Sequence, residues 1–183
     1  MNINEFKDIR TVYPSIKNAT SYGVPKGKEM VYNTRYAEFD AFIPETLSGL
    51  NLELGVFTGR TLKYLAKNWP DKHWYGFDTF EGVDTKWAHG VKDIDMNKFK
   101  TTIPKVPGNV TLVPGLIEDT LAQFIENTED SIGFLHLDLD IYSSTIYALK
   151  QLNDKIVPGT IIRFDELSDW RHLDFETNKD YLE

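Results

Sequence analysis

From Leu50 onward the chain is written as a rhythm of short apolar runs with helix-patterned stretches between most of them. The runs cover residues 50–54, 74–77, 110–113, 132–137 and 160–164. Their length and composition suit strands buried on both faces. Between them, Leu62, Leu65, Ala66 and Trp69 fall on one helical face, and Leu121, Phe124 and Ile125 on another. A third helix, capped by Ser143 or Ser144, is expected to bury Ile146, Leu149 and Leu152 before Pro158-Gly159 stops it. Strands alternating with helices predict an α/β, Rossmann-like, doubly wound fold. Its mostly parallel sheet has about five strands, with helices on both faces.

Outside that rhythm the sequence is less regular. Residues 1–48 contain Pro14, Pro25 and Gly27, and a helix is expected near 35–43, closed by Pro44. Residues 79–108 are rich in Gly and Pro, with one short helix expected at 96–102. The 183 residues are expected to form a single domain: a cap segment (1–48), a core (49–167) and a terminal helix (168–183).

Composition narrows the partners. The chain has no cysteine, which removes disulfides, thiolate metal sites and cysteine nucleophiles and fits a cytoplasmic protein. A formal net charge of −8 with no basic cluster argues against nucleic acid. No run reaches the length of a membrane span, and the N-terminus lacks the apolar core of an export signal.

In sheets of this kind ligands bind beyond the carboxyl ends of the strands. Four of the five runs end in acids: Glu53 inside the first, then Asp78, Asp138 with Asp140, and Asp165 with Glu166. The first run leads through Gly55, Phe57, Thr58 and Gly59 into a helix. A strand–glycine loop–helix unit is where backbone can approach a nucleotide-like cofactor. A dinucleotide site would want glycine where Phe57 stands, to admit a pyrophosphate. Glu53 suits an ammonium better than a phosphate, and Asp78 is placed to accept from two ribose hydroxyls. An ammonium, a ribose and no phosphate describe S-adenosylmethionine.

These segments resemble the class I S-adenosylmethionine-dependent methyltransferases, and among them the macrocin O-methyltransferase (TylF/MycF-like) group. The resemblance rests on Leu-Glu-Leu-Gly-Val-Phe-Thr-Gly-Arg-Thr (52–61), Gly-Phe-Asp-Thr-Phe-Glu-Gly (76–82) and Gly-Leu-Ile-Glu-Asp-Thr-Leu (115–121). His-Leu-Asp-Leu-Asp-Ile-Tyr-Ser-Ser-Thr (136–145) and Pro-Gly-Thr-Ile-Ile-Arg-Phe-Asp-Glu-Leu (158–167) complete it. It implies that Glu53 and Gly55 hold the methionine end and Asp78 the ribose, with Thr79 and Phe80 beside it. Gly115, Ile117 and Glu118 would flank the adenine, and Asp138 would also face the cofactor. The implied reaction is O-methylation of a sugar or other polyhydroxyl small molecule.

Asp138, Asp165 and Glu166 lie at the ends of neighbouring strands, which in a parallel sheet run ~5 Å apart, so their carboxylates are candidates for one Mg²⁺. Asp138 or Asp140 is the candidate proton acceptor. His136, inside a buried run, reads first as a satisfied core histidine and second as a base. Asp165-Glu166 reads nearly as well as the start of a helix. His89 and His172, with Trp87 and Trp170, are expected on segments facing the cleft. Family members usually continue past the fifth strand with an antiparallel pair, which 168–183 is too short to supply. A homodimer partner or the N-terminal segment is expected to cover that edge. The alternative is a cofactor-binding module without turnover.

Overall fold

Five apolar runs suited to burial need one another as neighbours, and one sheet takes up all of them. The computed structural model describes residues 36, 39, 40, 43, 47–83 and 99–165. Its strands are β1 (Leu50–Leu54), β2 (Trp74–Asp78), β3 (Val110–Pro114), β4 (Ile132–Leu137) and β5 (Ile161–Phe164). Every pairing is parallel, in the order β3-β2-β1-β4-β5. The helices are α1 (Arg60–Asn68), α2 (Ile117–Glu126) and α3 (Tyr142–Leu152), the last running into a single 3-10 turn. The chain divides into two units, residues 1–41 and 42–183. Of the first, Tyr36, Phe39 and Asp40 are described; all three are helical, with the Tyr36 and Phe39 rings 6.5 Å apart.

The central strands β1 and β4 are buried at every residue, while edge strand β5 is half-buried throughout and edge strand β3 exposes Thr111 and Pro114. One face of the sheet presents Leu52, Leu54, Phe77, Leu135 and Leu137 to Ile117, Leu121, Ala148 and Leu152 of α2 and α3. The other face receives α1. There Gly76 leaves room for Leu62, which would lie 2.4 Å from any Cβ at that position. Trp74 fills the rest, edge-on to both Trp69 and Phe134.

Several expectations change in detail. The alternation Leu-Asn-Leu-Glu-Leu of β1 marks no solvent face, because Asn51 and Glu53 are as buried as the leucines. Asn51 meets the cost by donating to the His73 carbonyl at 3.0 Å. Neither Ser143 nor Ser144 caps α3: the helix starts at Tyr142, and Ser144 Oγ donates to Glu118 Oε1 instead. The core face of α3 is Ala148 and Leu152, with Tyr147 and Leu149 half-buried beside them; Ile146 is outside that cluster. No helix covers 100–102, where Lys100 forms an antiparallel bridge with Glu81. Residues 96–98 of that stretch, Glu166, His89, His172, Trp87, Trp170 and the terminal helix lie outside the described residues. Among the described residues no helix is long and apolar enough to cross a membrane.

Candidate active site

The strand order reverses between β1 and β4, so the crevice that opens beyond their carboxyl ends is the topological switch point. The two strands stay together past their last residues, because Asp138 N donates to the Leu54 carbonyl at 2.8 Å. Gly55 makes this closeness possible. It has φ +93, and a Cβ there would sit 1.7 Å from the Asp138 carbonyl oxygen. The loop that follows is tied to β2 by one carboxylate. Asp78 Oδ2 accepts from the amides of Val56 and Phe57, each at 2.7 Å, and Oδ1 accepts from Phe80 N at 2.7 Å.

Backbone strain concentrates around the same crevice. Among the described residues Phe57, Phe80 and Asp140 are the non-glycines with positive φ, at 50, 59 and 58. They belong to the loops after β1, β2 and β4 respectively. Left-handed non-glycine residues cost free energy and tend to gather at ligand sites. The Phe57 ring is 39% exposed and meets Phe99 edge-on at 5.8 Å. Gly59 heads α1 in the left-handed conformation, beneath the Pro104 side chain, and Thr58 gives its carbonyl to Lys63 Nζ. Thr79 Oγ1 donates to the Gly82 carbonyl and accepts from Glu81 N. Gly115 N donates to the Asp78 carbonyl at 3.0 Å. Ile117, expected near adenine, is buried in the core; its neighbour Leu116 is 46% exposed, and Glu118 is exposed.

A row of charges runs below the crevice. Register aligns Glu53 of β1 with His136 of β4, and His136 with Arg163 of β5. His136 Nδ1 lies 2.8 Å from Glu53 Oε1, with both side chains essentially inaccessible. Arg163 Nη1 stands 2.7 Å from His136 Nε2 and 2.7 Å from Asp165 Oδ1. A guanidinium can only donate, so the neutral ring accepts at Nε2 and carries its proton on Nδ1, toward Glu53. Burial opposes a charge on His136. The nearby carboxylates of Asp165, Glu53 and Asp138 outweigh it, raising proton affinity above the ordinary histidine value. The reading of His136 as a buried, hydrogen-bonded histidine agrees with this geometry. Arg163 is the residue that sequence reasoning passed over. Its signal was present: an arginine among Ile161, Ile162 and Phe164 needs a partner as much as Glu53 does.

The sequence profile of the methyltransferase domain family matches residues 52–167. The chain belongs to that family. Comparison with curated protein sequences gave no significant match. Among solved structures, the methyltransferase resembles CalS11, a calicheamicin methyltransferase, with a TM-score of 0.60 at 22% identity over 91% of this chain and 82% of that one. An apo structure of CalS11, described as a TDP-rhamnose 3'-O-methyltransferase of calicheamicin biosynthesis, gives 0.55 at 22% identity over 91% and 83%. These matches share the fold of a class I S-adenosylmethionine-dependent methyltransferase.

The crevice fits that cofactor. A carboxylate offers about four acceptor positions, and the three amides leave Asp78 one on Oδ1 for a ribose hydroxyl. Phe57 and Leu116 offer exposed apolar surface on the loops after β1 and β3. The acids around the switch point suit a sulfonium cation. Among the described residues, which do not include Glu166, the fit to Mg²⁺ is poor. Ligand atoms of His136, Asp138 and Asp165 lie within 4.8 Å of one another, near enough for one ion. But Mg²⁺ prefers an all-oxygen shell, and Arg163 already holds both His136 Nε2 and Asp165 Oδ1.

Proposed function

We propose that this methyltransferase methylates a hydroxyl oxygen of a sugar or other polyhydroxyl small molecule. The observation that carries the reading is the Asp78 clamp, which fixes the glycine loop at the switch point where Asp138 and Asp140 also end. S-adenosylmethionine supplies an electrophilic methyl group. In the transfer a carbon–sulfur bond breaks, a carbon–oxygen bond forms, and the hydroxyl loses a proton. Asp138, half-buried at the end of β4, and Asp140, held in the left-handed conformation two residues on, are the proton acceptors we assign. The Asp78-tied loop orients the cofactor, so positioning contributes alongside proton transfer. The sugar acceptor named for CalS11 supports a hydroxyl substrate, as does the resemblance to the macrocin O-methyltransferase group. No step is assigned to a metal.

The test is turnover. The protein would be incubated with S-adenosylmethionine and a panel of sugar nucleotides and simple polyols, and the demethylated cofactor measured. Production that needs a hydroxyl acceptor, and that Asp138→Asn or Asp140→Asn lowers by roughly 10²-fold, is the expected outcome. Transfer restricted to amine or carbon acceptors would overturn it.

A further inference from the structure

We infer that Arg163 is the built-in cation of the His136, Asp138 and Asp165 cluster, and that this methyltransferase works there without a divalent metal. The inference concerns the site proposed above but stands on geometry of its own. Three prospective ligands converge within 4.8 Å, as they would around an ion. Arg163 Nη1 makes 2.7 Å contacts to two of them, and its side chain is only 11% exposed. A metal entering the cluster would have to evict a guanidinium from contacts with a histidine nitrogen and a carboxylate, a buried charge-assisted arrangement.

Position reinforces the point. Arg163 is fixed by β-sheet register, opposite His136, and cannot slide along its strand without moving Ile162 and Phe164 out of their partly buried positions at the core. The contacts also explain why an arginine is tolerated in this strand: Asp165, just past the strand's end, takes the charge. Asp165 therefore serves Arg163. Arg163 is in turn a positioning residue that holds the Nε2 side of His136, while Glu53 holds the Nδ1 side.

Mn²⁺, a paramagnetic stand-in for Mg²⁺, is the probe. The full chain would be titrated with it, and unbound Mn²⁺ read by electron paramagnetic resonance. S-adenosylmethionine binding would be measured on the same samples. The wild type is expected to show no Mn²⁺ binding that Asp138→Asn or Asp165→Asn removes. Binding unaffected by either substitution would lie elsewhere on an acidic surface and leave the cluster metal-free. Arg163→Met is expected to open the cluster, gaining Mn²⁺ affinity by roughly ten- to hundredfold, and Asp165→Asn added to it should abolish the gain. A wild-type site lost in Asp165→Asn would overturn the inference, whether or not Arg163→Met folds. So would a folded Arg163→Met with no gain. Loss of S-adenosylmethionine binding by the wild type would instead sink the functional reading and leave the metal result standing.

Discussion

Glu53 shows how a single residue is legible in part. An acid inside an apolar run demands a partner, and that much follows from the cost of burying a charge. The partner's identity does not follow, because His136 lies 83 positions away and meets Glu53 only through the register of β1 with β4. Glu53→Ala would leave His136 Nδ1 without this acceptor in a site closed to water. A loss of about 3 kcal/mol in urea unfolding is expected, with Glu53→Gln losing less. The ring should titrate above the ordinary value of 6.5 in the folded protein, for the reasons given by its carboxylate neighbours. The sign then follows: the histidine's contribution to stability is full below about pH 6.5 and declines as pH rises through the raised folded value. NMR of the His136 ring, alongside unfolding at several pH values, measures both. A ring titrating below 6.5, with stability rising through that range, would contradict it.

At the scale of elements, the strands were readable and the start of α3 was not. Short apolar runs bounded by Gly, Pro and acids specify buried strands almost irrespective of context, and all five expected runs became strands. α3 starts at Tyr142 without a side-chain cap, and Ser144 reaches Glu118 on the neighbouring helix instead of the backbone of its own. The close pairing of β1 with β4 past their ends yields the sharpest expectation. Gly55→Ala would force a methyl group against the Asp138 carbonyl at a backbone angle alanine rarely adopts. It should cost several kcal/mol, roughly 3 or more, and loosen the crevice. Gly108→Ala meets nothing within 4 Å and needs no positive φ, so it should change stability by less than about 1 kcal/mol. Thermal unfolding of the pair gives the comparison; equal effects would show that Gly55 holds no special place.

For the molecule as a whole, the parallel order β3-β2-β1-β4-β5 determines where chemistry can occur, because it puts one switch point at the ends of β1 and β4. The glycine loop, Asp78, Asp138 and Asp140 were recognisable as a set because they recur at strand ends in the sequence. Arg163 was not, since only the folded sheet brings it to His136 and Asp165. Fold class and cofactor were thus within reach of the sequence, while the electrostatic arrangement beneath the cofactor required three strands in register. Calorimetry of the protein with S-adenosylmethionine tests the central claim most directly. Saturable heat from one site per chain is expected, weakened by about tenfold or more in Asp78→Ala, which frees the amides of Val56, Phe57 and Phe80. No heat at millimolar cofactor, or binding that Asp78→Ala leaves unchanged, would contradict it.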